Sequence, residues 1–212
     1  MQVRSFASWY RTTAGRYSPG VARHELALQS TRIVTPNGVR AGTVRVADGR
    51  IVDIAAVHEG PMGDPIDVGD AVIMPGIVDS HVHINEPGRT HWEGFESATR
   101  AAAAGGVTTL IDMPLNSVPA TTTREGLAAK VAAAKEKCHV DVGLWGGLVP
   151  GNLAEIGGLL EAGVLGFKCF LCPSGVDEFA HVSEQDIRAA APTLVDAGLP
   201  MLVHAEDPVV LD

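Results

Sequence analysis

From residue 26 to about residue 72, the chain consists of short apolar runs separated by turn residues. Apolar and polar positions alternate over residues 42–46, and a second apolar run covers residues 51–54. Between them stands Asp48-Gly49, and an Asp-Gly pair between two such runs is typical of a two-residue hairpin turn. The pattern predicts a small antiparallel β module, the N-terminal part of a β-sandwich, over residues 26–72.

After residue 72, apolar runs begin to alternate with longer helical stretches. Strands that alternate with helices of this length predict βαβ units and a parallel sheet. The predicted strands cover about residues 73–82, 107–112, 139–147, 164–170 and 200–205, and the predicted helices lie near 92–105, 123–137, 151–162 and 183–198.

These five strands predict an α/β fold that corresponds to part of a barrel. A closed (β/α)8 barrel needs about 250 residues, whereas 138 residues follow position 74. We therefore expect residues 73–212 to form the N-terminal portion, about strands 1–5, of an incomplete (β/α)8 TIM barrel. The last residues lack the composition of a tail, so we interpret the chain as an N-terminal fragment.

Composition and charge exclude several classes of partner. The net charge of −9 gives a nucleic-acid partner no electrostatic support, and no apolar run reaches the roughly 18 residues of a membrane span. Three cysteines are too few for a disulfide framework and suit a reducing cytoplasm. Residues 1–24 contain four arginines and no acidic residue, as organellar transit peptides do. They show no amphipathic period, so we favour a disordered basic extension over residues 1–25.

Two histidines follow the apolar run 72–78 directly. On a strand, residues i and i+2 project from the same face, so His81 and His83 are expected to lie about 6 to 7 Å apart. The preceding run does not alternate, which is typical of a parallel strand buried on both faces. Two imidazoles at the end of such a strand can share a metal ion. The alternative is a hydrogen-bonded or surface histidine pair.

Other polar residues stand at the ends of later predicted strands: Asp112, Asn116, Lys168 and His204. In parallel α/β folds, functional groups gather at these carboxyl ends. The apolar surroundings of Lys168 disfavour a charged ammonium, and a neutral amine can add CO₂ to form a carbamate. The alternatives are a lysine whose amine reaches solvent and, for His204, a hydrogen-bonded core histidine.

Cys169 and Cys172 form a C-x-x-C pair, which can indicate redox or zinc chemistry. No second such pair follows, and two bulky apolar residues separate the thiols. We therefore favour a packing role for both cysteines.

Several of these segments together resemble a known family. The sequence PGIVDSHVH at residues 75–83 resembles the opening strand of the metal-dependent amidohydrolase superfamily, and HINEPGR at residues 83–89 resembles its cyclic-amide hydrolases. Further segments, at 92–95, 105–109, 112–117 and 166–170, resemble those of the allantoinase family. The resemblance runs from about residue 26 to the end of the chain.

The resemblance implies a binuclear zinc centre. His81 and His83 would bind one Zn²⁺, His204 would bind the second, and Lys168, carboxylated by CO₂, would bridge them. In the family, a further histidine on strand six and a catalytic aspartate on strand eight complete the centre. These would lie beyond residue 212, so the resemblance implies no catalytic residue within this chain and an isolated fragment that is inactive.

The resemblance also implies a substrate. Asn85 and Asn116 would contact allantoin, which the enzyme opens to allantoate, and the complete protein would be a homotetramer. Dihydroorotases carry an arginine at the position of Asn85 to pair with a carboxylate, whereas neutral allantoin suits an amide that donates and accepts. A dihydroorotase, a hydantoinase and a non-catalytic scaffold remain alternatives. Hydantoinases usually lack the Met-Pro-Leu-Asn run, and scaffold homologues generally lose metal ligands.

Overall fold

The computed structural model of the protein describes residues 26–57 and 65–211. It divides into two compact units, one ending at Pro75 and the other beginning at Gly76. The domain boundary that we predicted after residue 72 lies three residues before this observed boundary between the units. The predicted basic extension over residues 1–25 lies outside the described residues.

The first unit is a sheet built on two hairpin connections. Strand β1 (Leu26–Thr35) pairs antiparallel with β2 (Gly38–Ala47), and β2 pairs antiparallel with β3 (Arg50–Ala55). Between β2 and β3, Asp48 (φ 51°) and Gly49 (φ 68°) both adopt left-handed backbone conformations. A type I′ turn requires this at both central residues. The hairpin predicted from the Asp-Gly pair is therefore observed.

Two short strands correct the prediction of a purely antiparallel module. Strands β4 (Ile66–Asp67) and β5 (Val72–Ile73) both pair with β1 in the parallel direction. Residues 72–73 thus belong to this first sheet, and the single strand predicted over 73–82 is wrong at its beginning. The physical reason is Pro75, which has no N–H to donate and so interrupts a strand ladder there.

The second unit consists of parallel strands alternating with helices. Strands β6, β7 and β8 form one parallel sheet, and β9, β10 and β11 form another. Strands β8 and β9 are separated by a single residue and together occupy one strand position. The five strand positions of this unit therefore follow chain order, which confirms the incomplete barrel. The strands are β6 (Ile77–Val82), β7 (Val107–Asp112), β8 (Asp141–Leu144), β9 (Gly146–Gly147), β10 (Phe167–Phe170) and β11 (Met201–His204). The helices are α1 (Phe95–Ala104), α2 (Arg124–Ala134), a 3₁₀ turn (Leu153–Glu155), α3 (Ile156–Ala162), α4 (Glu184–Ala197) and α5 (Pro208–Leu211).

The strand predicted over residues 139–147 is shorter than expected and changes its partner. Its first part, β8, pairs with β7, and its second part, β9, pairs with β10. The N–H of Trp145 donates to Asp112 O at 3.0 Å, and the N–H of Gly146 donates to Gly166 O at 2.9 Å. Because the two N–H groups point to opposite sides, this one segment joins the two three-stranded sheets.

Side-chain caps fix where the helices begin. The Thr123 hydroxyl accepts the N–H of Gly126 at 3.1 Å, and Ser183 and Asp186 cap each other's backbone N–H groups at the start of α4. Helix α4 ends at Gly198, in a left-handed conformation (φ 66°). With 14 residues, α4 is the longest helix in the described ranges, and none there has the length and apolar character of a membrane span.

The core is formed by the helices and by strands β7, β8 and β10, whereas β6 lies at a sheet edge. Among the described residues, Ile77 and Val78 of β6 are 49% and 53% exposed, so the predicted burial of this strand on both faces is not observed there. Within the described residues, β6 has β7 as its one strand neighbour. The largest apolar side chains that are fully buried are Phe95, Phe167, Phe179, Ile33, Ile84, Met113, Leu148 and Leu159.

Candidate metal centre

Two imidazoles lie side by side where β6 ends. The ring centroids of His81 and His83 (the histidine pair) are 5.5 Å apart, with the ring planes tilted by 47°. His81 is exposed and His83 is half-buried. Burial and, after it, the charge of His81 lower the pKa of His83. A neutral imidazole is the form that binds a metal ion, so these surroundings favour His83 as a ligand.

Lys168 on β10 presents a buried amine. The residue is 5% exposed, and its Nζ lies 4.7 Å from the centroid of the Phe170 ring. Within residues 26–57 and 65–211, it has no hydrogen-bond acceptor and no carboxylate partner. Burial lowers the pKa of Lys168, and its charge contributes to the lowered pKa of His83. An amine that is buried and unpaired is prone to lose its proton and react as a nucleophile.

His204 ends β11 and lies opposite Phe170 in the strand register. The two rings are stacked with centroids 5.0 Å apart, and His204 Nε2 lies 3.1 Å from Glu206 Oε2. In the described part of the chain, one group of three His, Cys, Asp or Glu side chains is close enough to hold an ion: Cys172, His204 and Glu206. The structure therefore brings the histidine pair together but places His204 in a different group.

Asn85 lies two residues beyond His83 and carries an unsatisfied oxygen. It is 7% exposed, and its Nδ2 donates to the backbone oxygen of His83 at 3.4 Å. Its Oδ1 is buried without a hydrogen-bond partner among the described residues. A buried carbonyl oxygen without a donor costs about 1–3 kcal/mol. This oxygen is thus free to accept a hydrogen bond from a ligand.

Asn116, in the loop after β7, contacts the histidine pair. Its Nδ2 lies 3.4 Å from Nδ1 of His83, and its backbone oxygen accepts from Arg89 Nη1 at 2.9 Å. A side chain held against the second ring nitrogen of a metal-binding histidine orients that ring. The structure thus gives Asn116 a contact with His83, and its predicted substrate contact remains a prediction.

The backbone of Asn116 allows a test of this loop. Its φ of 74° is left-handed, a conformation that costs a residue with a Cβ about 1–2 kcal/mol and glycine much less. We expect the free energy of unfolding of Asn116→Ala to be about 1 kcal/mol lower than that of Asn116→Gly. Both variants lack the amide, so urea unfolding isolates the backbone effect. Equal stability of the two variants would contradict the left-handed conformation.

Arg89 connects the loops after β6 and β10. Its guanidinium pairs with Glu178, and this hydrogen bond lowers the pKa of the Glu178 carboxyl. The same guanidinium lies 5.1 Å from the centroid of the Trp92 ring. Sequence reasoning missed this contact because 89 positions separate the partners.

A buried ion pair between Asp112 and Lys130 (the clamp) holds the backbone next to the histidine pair. Asp112 Oδ1 accepts the N–H of Ile84 at 2.6 Å, and Lys130 Nζ donates to the carbonyl oxygen of Ile84 at 2.9 Å. Nζ also donates to Ser117 Oγ at 3.1 Å. The charged atoms are 2.5 Å apart, and both side chains are fully buried. The clamp thereby fixes the residue that directly follows His83.

The clamp corrects our grouping of Asp112 with the functional strand ends, because its carboxylate is committed to the backbone and to Lys130. Sequence reasoning missed Lys130, although a signal was present. Lys130 stands three residues after Leu127 and four before Ala134, and both of these are buried. It thus occupies a position on the apolar face of α2, where a charged residue indicates a buried partner.

The pH dependence of stability tests the surroundings of Asp112. Burial raises the pKa of its carboxyl to about 6, against the opposing effect of Lys130. An unfolded aspartate titrates near about 3.9, so the folded chain binds this proton more tightly. The resulting stabilisation is complete below about pH 3.9 and is lost as the pH rises through about 6. We expect the difference in unfolding free energy, wild type minus Asp112→Asn, to decrease as the pH rises from about 3.9 to above about 6. A flat or rising difference in urea titrations would contradict the raised pKa.

Comparison with known proteins identifies the family of this chain. The model of the amidohydrolase family matches residues 72–206, and the chain belongs to that family. It is 52% identical over 186 residues to the allantoinase of Streptomyces avermitilis, covering 87% of this chain and 42% of that protein. It is 50% identical to the allantoinase of Arabidopsis thaliana and 48% identical to the mitochondrial allantoinase of Aquarana catesbeiana, in each case covering 84% of this chain and 37% of the relative. The chain therefore spans about two fifths of the length of these relatives.

Among solved structures, the fold is similar to that of the L-hydantoinase (dihydropyrimidinase) from Arthrobacter aurescens. The TM-score is 0.82 at 33% sequence identity, over 89% of this chain and 42% of the hydantoinase. Amidohydrolases are metal-dependent, and the residues present fit a metal: a histidine whose surroundings favour the neutral form, a buried amine with no hydrogen-bond acceptor among the described residues, and a further histidine at the end of β11.

Proposed function

We propose that this sequence supplies the first part of an allantoinase active site, which hydrolyses a cyclic amide bond of allantoin to give allantoate. The observation that carries the proposal is the buried amine of Lys168, which has no hydrogen-bond acceptor among the described residues and whose charge contributes to the lowered pKa of His83. The 52% identity to a protein named allantoinase supports this substrate. Because the chain spans 42% of that relative, we propose the activity for a barrel that also contains the remaining strands.

The metal centre that we propose has two sites. His81 and His83 would hold one Zn²⁺, His204 would hold the second, and Lys168, carboxylated by CO₂, would bridge them. Imidazole nitrogens and anionic oxygens are ligands that suit Zn²⁺, although other divalent ions bind them too. When bound, the two ions supply Lewis-acid activation of the amide carbonyl and of the attacking water.

The residues of this chain bind and orient the substrate. We propose that Oδ1 of Asn85, which is buried without a hydrogen-bond partner among the described residues, accepts an N–H of allantoin, a neutral molecule rich in such donors. The Asn116 amide supports the ring of His83, and the proposal gives it a second contact with the ureido arm of the substrate. An arginine at position 85, as in dihydroorotases, would instead favour a carboxylate.

A chimaeric barrel tests the proposed activity. Residues 26–206 of this chain would be joined to the strands that follow in the Streptomyces avermitilis allantoinase, and the product would be loaded with Zn²⁺ and bicarbonate. We expect it to release allantoate from allantoin, and we expect no release by the 212-residue chain, which lacks the aspartate that the family resemblance places on strand eight. A folded, zinc-loaded chimaera without activity would contradict the proposal.

Substrate choice separates the alternatives. The likeness to L-hydantoinase makes hydantoin hydrolysis the second candidate, at 33% identity against 52% for the allantoinase. We expect the chimaera to prefer allantoin over hydantoin and dihydroorotate, measured as kcat/KM. We expect Asn85→Arg to lower kcat/KM for allantoin at least about tenfold, because a polar group left unpaired in the site costs more than about 1.4 kcal/mol. A preference for hydantoin would favour the second candidate.

The proposal also includes an assembly and a location. We propose a homotetramer for the complete protein and a cytoplasmic location, with an organelle as the alternative because one relative is a mitochondrial allantoinase. Light scattering of the chimaera tests the first, and imaging of a tagged protein that keeps residues 1–25 tests the second.

A further inference from the structure

Beyond the histidine pair and Lys168, a thiol, an imidazole and a carboxylate converge beside the end of β11. His204 Nε2 lies 3.1 Å from Glu206 Oε2, and Cys172 Sγ lies 3.5 Å from the same oxygen. The three ligand atoms all lie within 4.8 Å of one another. Ligands in a tetrahedral zinc site, with bonds of about 2.0–2.3 Å, are separated by roughly 3.3–3.8 Å. The group therefore needs only small side-chain movements to surround an ion.

The fold holds these residues in place. Phe170 and His204 are register partners of β10 and β11, and the N–H of Leu171 donates to His204 O at 3.0 Å, so the loop that carries Cys172 is tied to the end of β11. The stacked Phe170 ring orients the imidazole. Cys172 is 4% exposed, whereas the side chains of His204 and Glu206 are 41% and 51% exposed. The thiol is thus anchored, and an ion can approach from solvent.

We propose that Cys172, His204 and Glu206 form a site for a single thiophilic divalent cation, Zn²⁺ or Cd²⁺, on this chain. Thiolate sulfur, imidazole nitrogen and carboxylate oxygen are each ligands of Zn²⁺ in proteins, and three protein ligands leave a fourth, open position. Binding releases the thiol proton to solvent as the thiolate joins the metal. Because His204 is also assigned to the second zinc of the binuclear centre proposed above, the two sites would compete for its imidazole in a complete barrel; the present site is proposed for the 212-residue chain and does not depend on allantoin hydrolysis.

The test is a Cd²⁺ titration of the metal-free 212-residue chain, followed by thiolate-to-cadmium charge-transfer absorption. This band reports a cysteine ligand, so ions bound by the histidine pair alone do not produce it. We expect one thiolate-bound Cd²⁺ per chain. We expect Cys172→Ser to abolish the band and Cys138→Ser to retain it, because Cys138 lies outside the group. Absence of the band in the wild type, or its persistence in Cys172→Ser, would overturn the proposal.

Substitutions of the other two ligands, which are partly exposed, control for a folding defect in Cys172→Ser. We expect Glu206→Gln and His204→Gln each to keep the circular dichroism spectrum and to weaken Cd²⁺ binding at least about tenfold, since changes even to residues behind metal ligands cost about 10- to 100-fold. If both variants bind Cd²⁺ with wild-type affinity, Cys172 binds the ion without His204 and Glu206, and the proposed site is overturned. The double variant His81→Ala and His83→Ala removes the proposed first zinc site and is expected to keep the band, so the two proposals fail separately.

Discussion

Replacing Lys130 with methionine is expected to lower the free energy of unfolding by about 3–5 kcal/mol, the usual cost of removing one member of a buried ion pair. The substitution leaves the Asp112 carboxylate fully buried and unpaired, and it removes the donor to the carbonyl oxygen of Ile84. A whole domain is stable by about 5–15 kcal/mol, so this loss is large. Urea unfolding, with matched transition slopes, measures it.

Lys135→Met is the matched control, because the Lys135 side chain is 71% exposed and pairs only loosely with Glu136, at 3.8 Å. Its effect is expected to stay within about 0.5 kcal/mol. Removing both charges, in Lys130→Met with Asp112→Leu, is expected to recover part of the loss, because the buried carboxylate is then absent as well. If Lys130→Met is as stable as Lys135→Met, the clamp does not stabilise the fold.

Lys168→Ala in the chimaeric barrel is expected to reduce allantoin hydrolysis by about a thousandfold or more. The proposed carbamate forms when the neutral Nζ attacks CO₂ and loses a proton, and alanine cannot supply that nitrogen. Lewis-acid stabilisation is worth several kcal/mol, and each 1.36 kcal/mol is a factor of ten in rate. The measurement is allantoate release at saturating Zn²⁺ and bicarbonate, with Lys135→Ala as the exposed-lysine control.

A second readout for Lys168 does not require activity. With ¹³C-labelled bicarbonate, the wild-type chimaera is expected to show a carbamate carbon resonance that Lys168→Ala and Lys168→Arg lack. Arginine keeps the charge, but its guanidinium stays protonated and cannot be carboxylated. Full activity in Lys168→Ala, or a carbamate resonance that persists in it, would remove the bridging role.

The sequence predicted most strands and helices of the second unit because their signals are local. The strand predicted over 107–112 is observed as β7 with the same bounds, and the helix predicted near 183–198 is observed as α4. The position of the histidine pair at the end of a strand follows from the same local pattern, since i and i+2 share a face wherever a strand forms. Chemistry at strand ends is thus the part of the site that sequence reveals best.

The remaining features depend on partners that are distant in the sequence. Among the described residues, β6 has a strand neighbour on one side only, and its exposure follows from that position and not from its own sequence. Lys130 on α2 pairs with Asp112 on β7, and this contact depends on the packing of the two elements and not on the sequence around either residue. Likewise, the C-x-x-C pair indicated two thiols of interest, but only the folded structure shows that Cys172, and not Cys169, lies beside His204 and Glu206.

The clamp also has a consequence for the order in which the site is assembled. Its longest contact, from Lys130 to Ile84, spans 46 positions, all within the stretch from β6 to α2. The N-terminal part of a chain leaves the ribosome first, and every residue of the clamp precedes Lys168 and His204. We therefore expect the backbone beside His83 to be fixed while Lys168 and His204 are still being synthesised, so that these later residues are added to a first half of the centre that is already rigid.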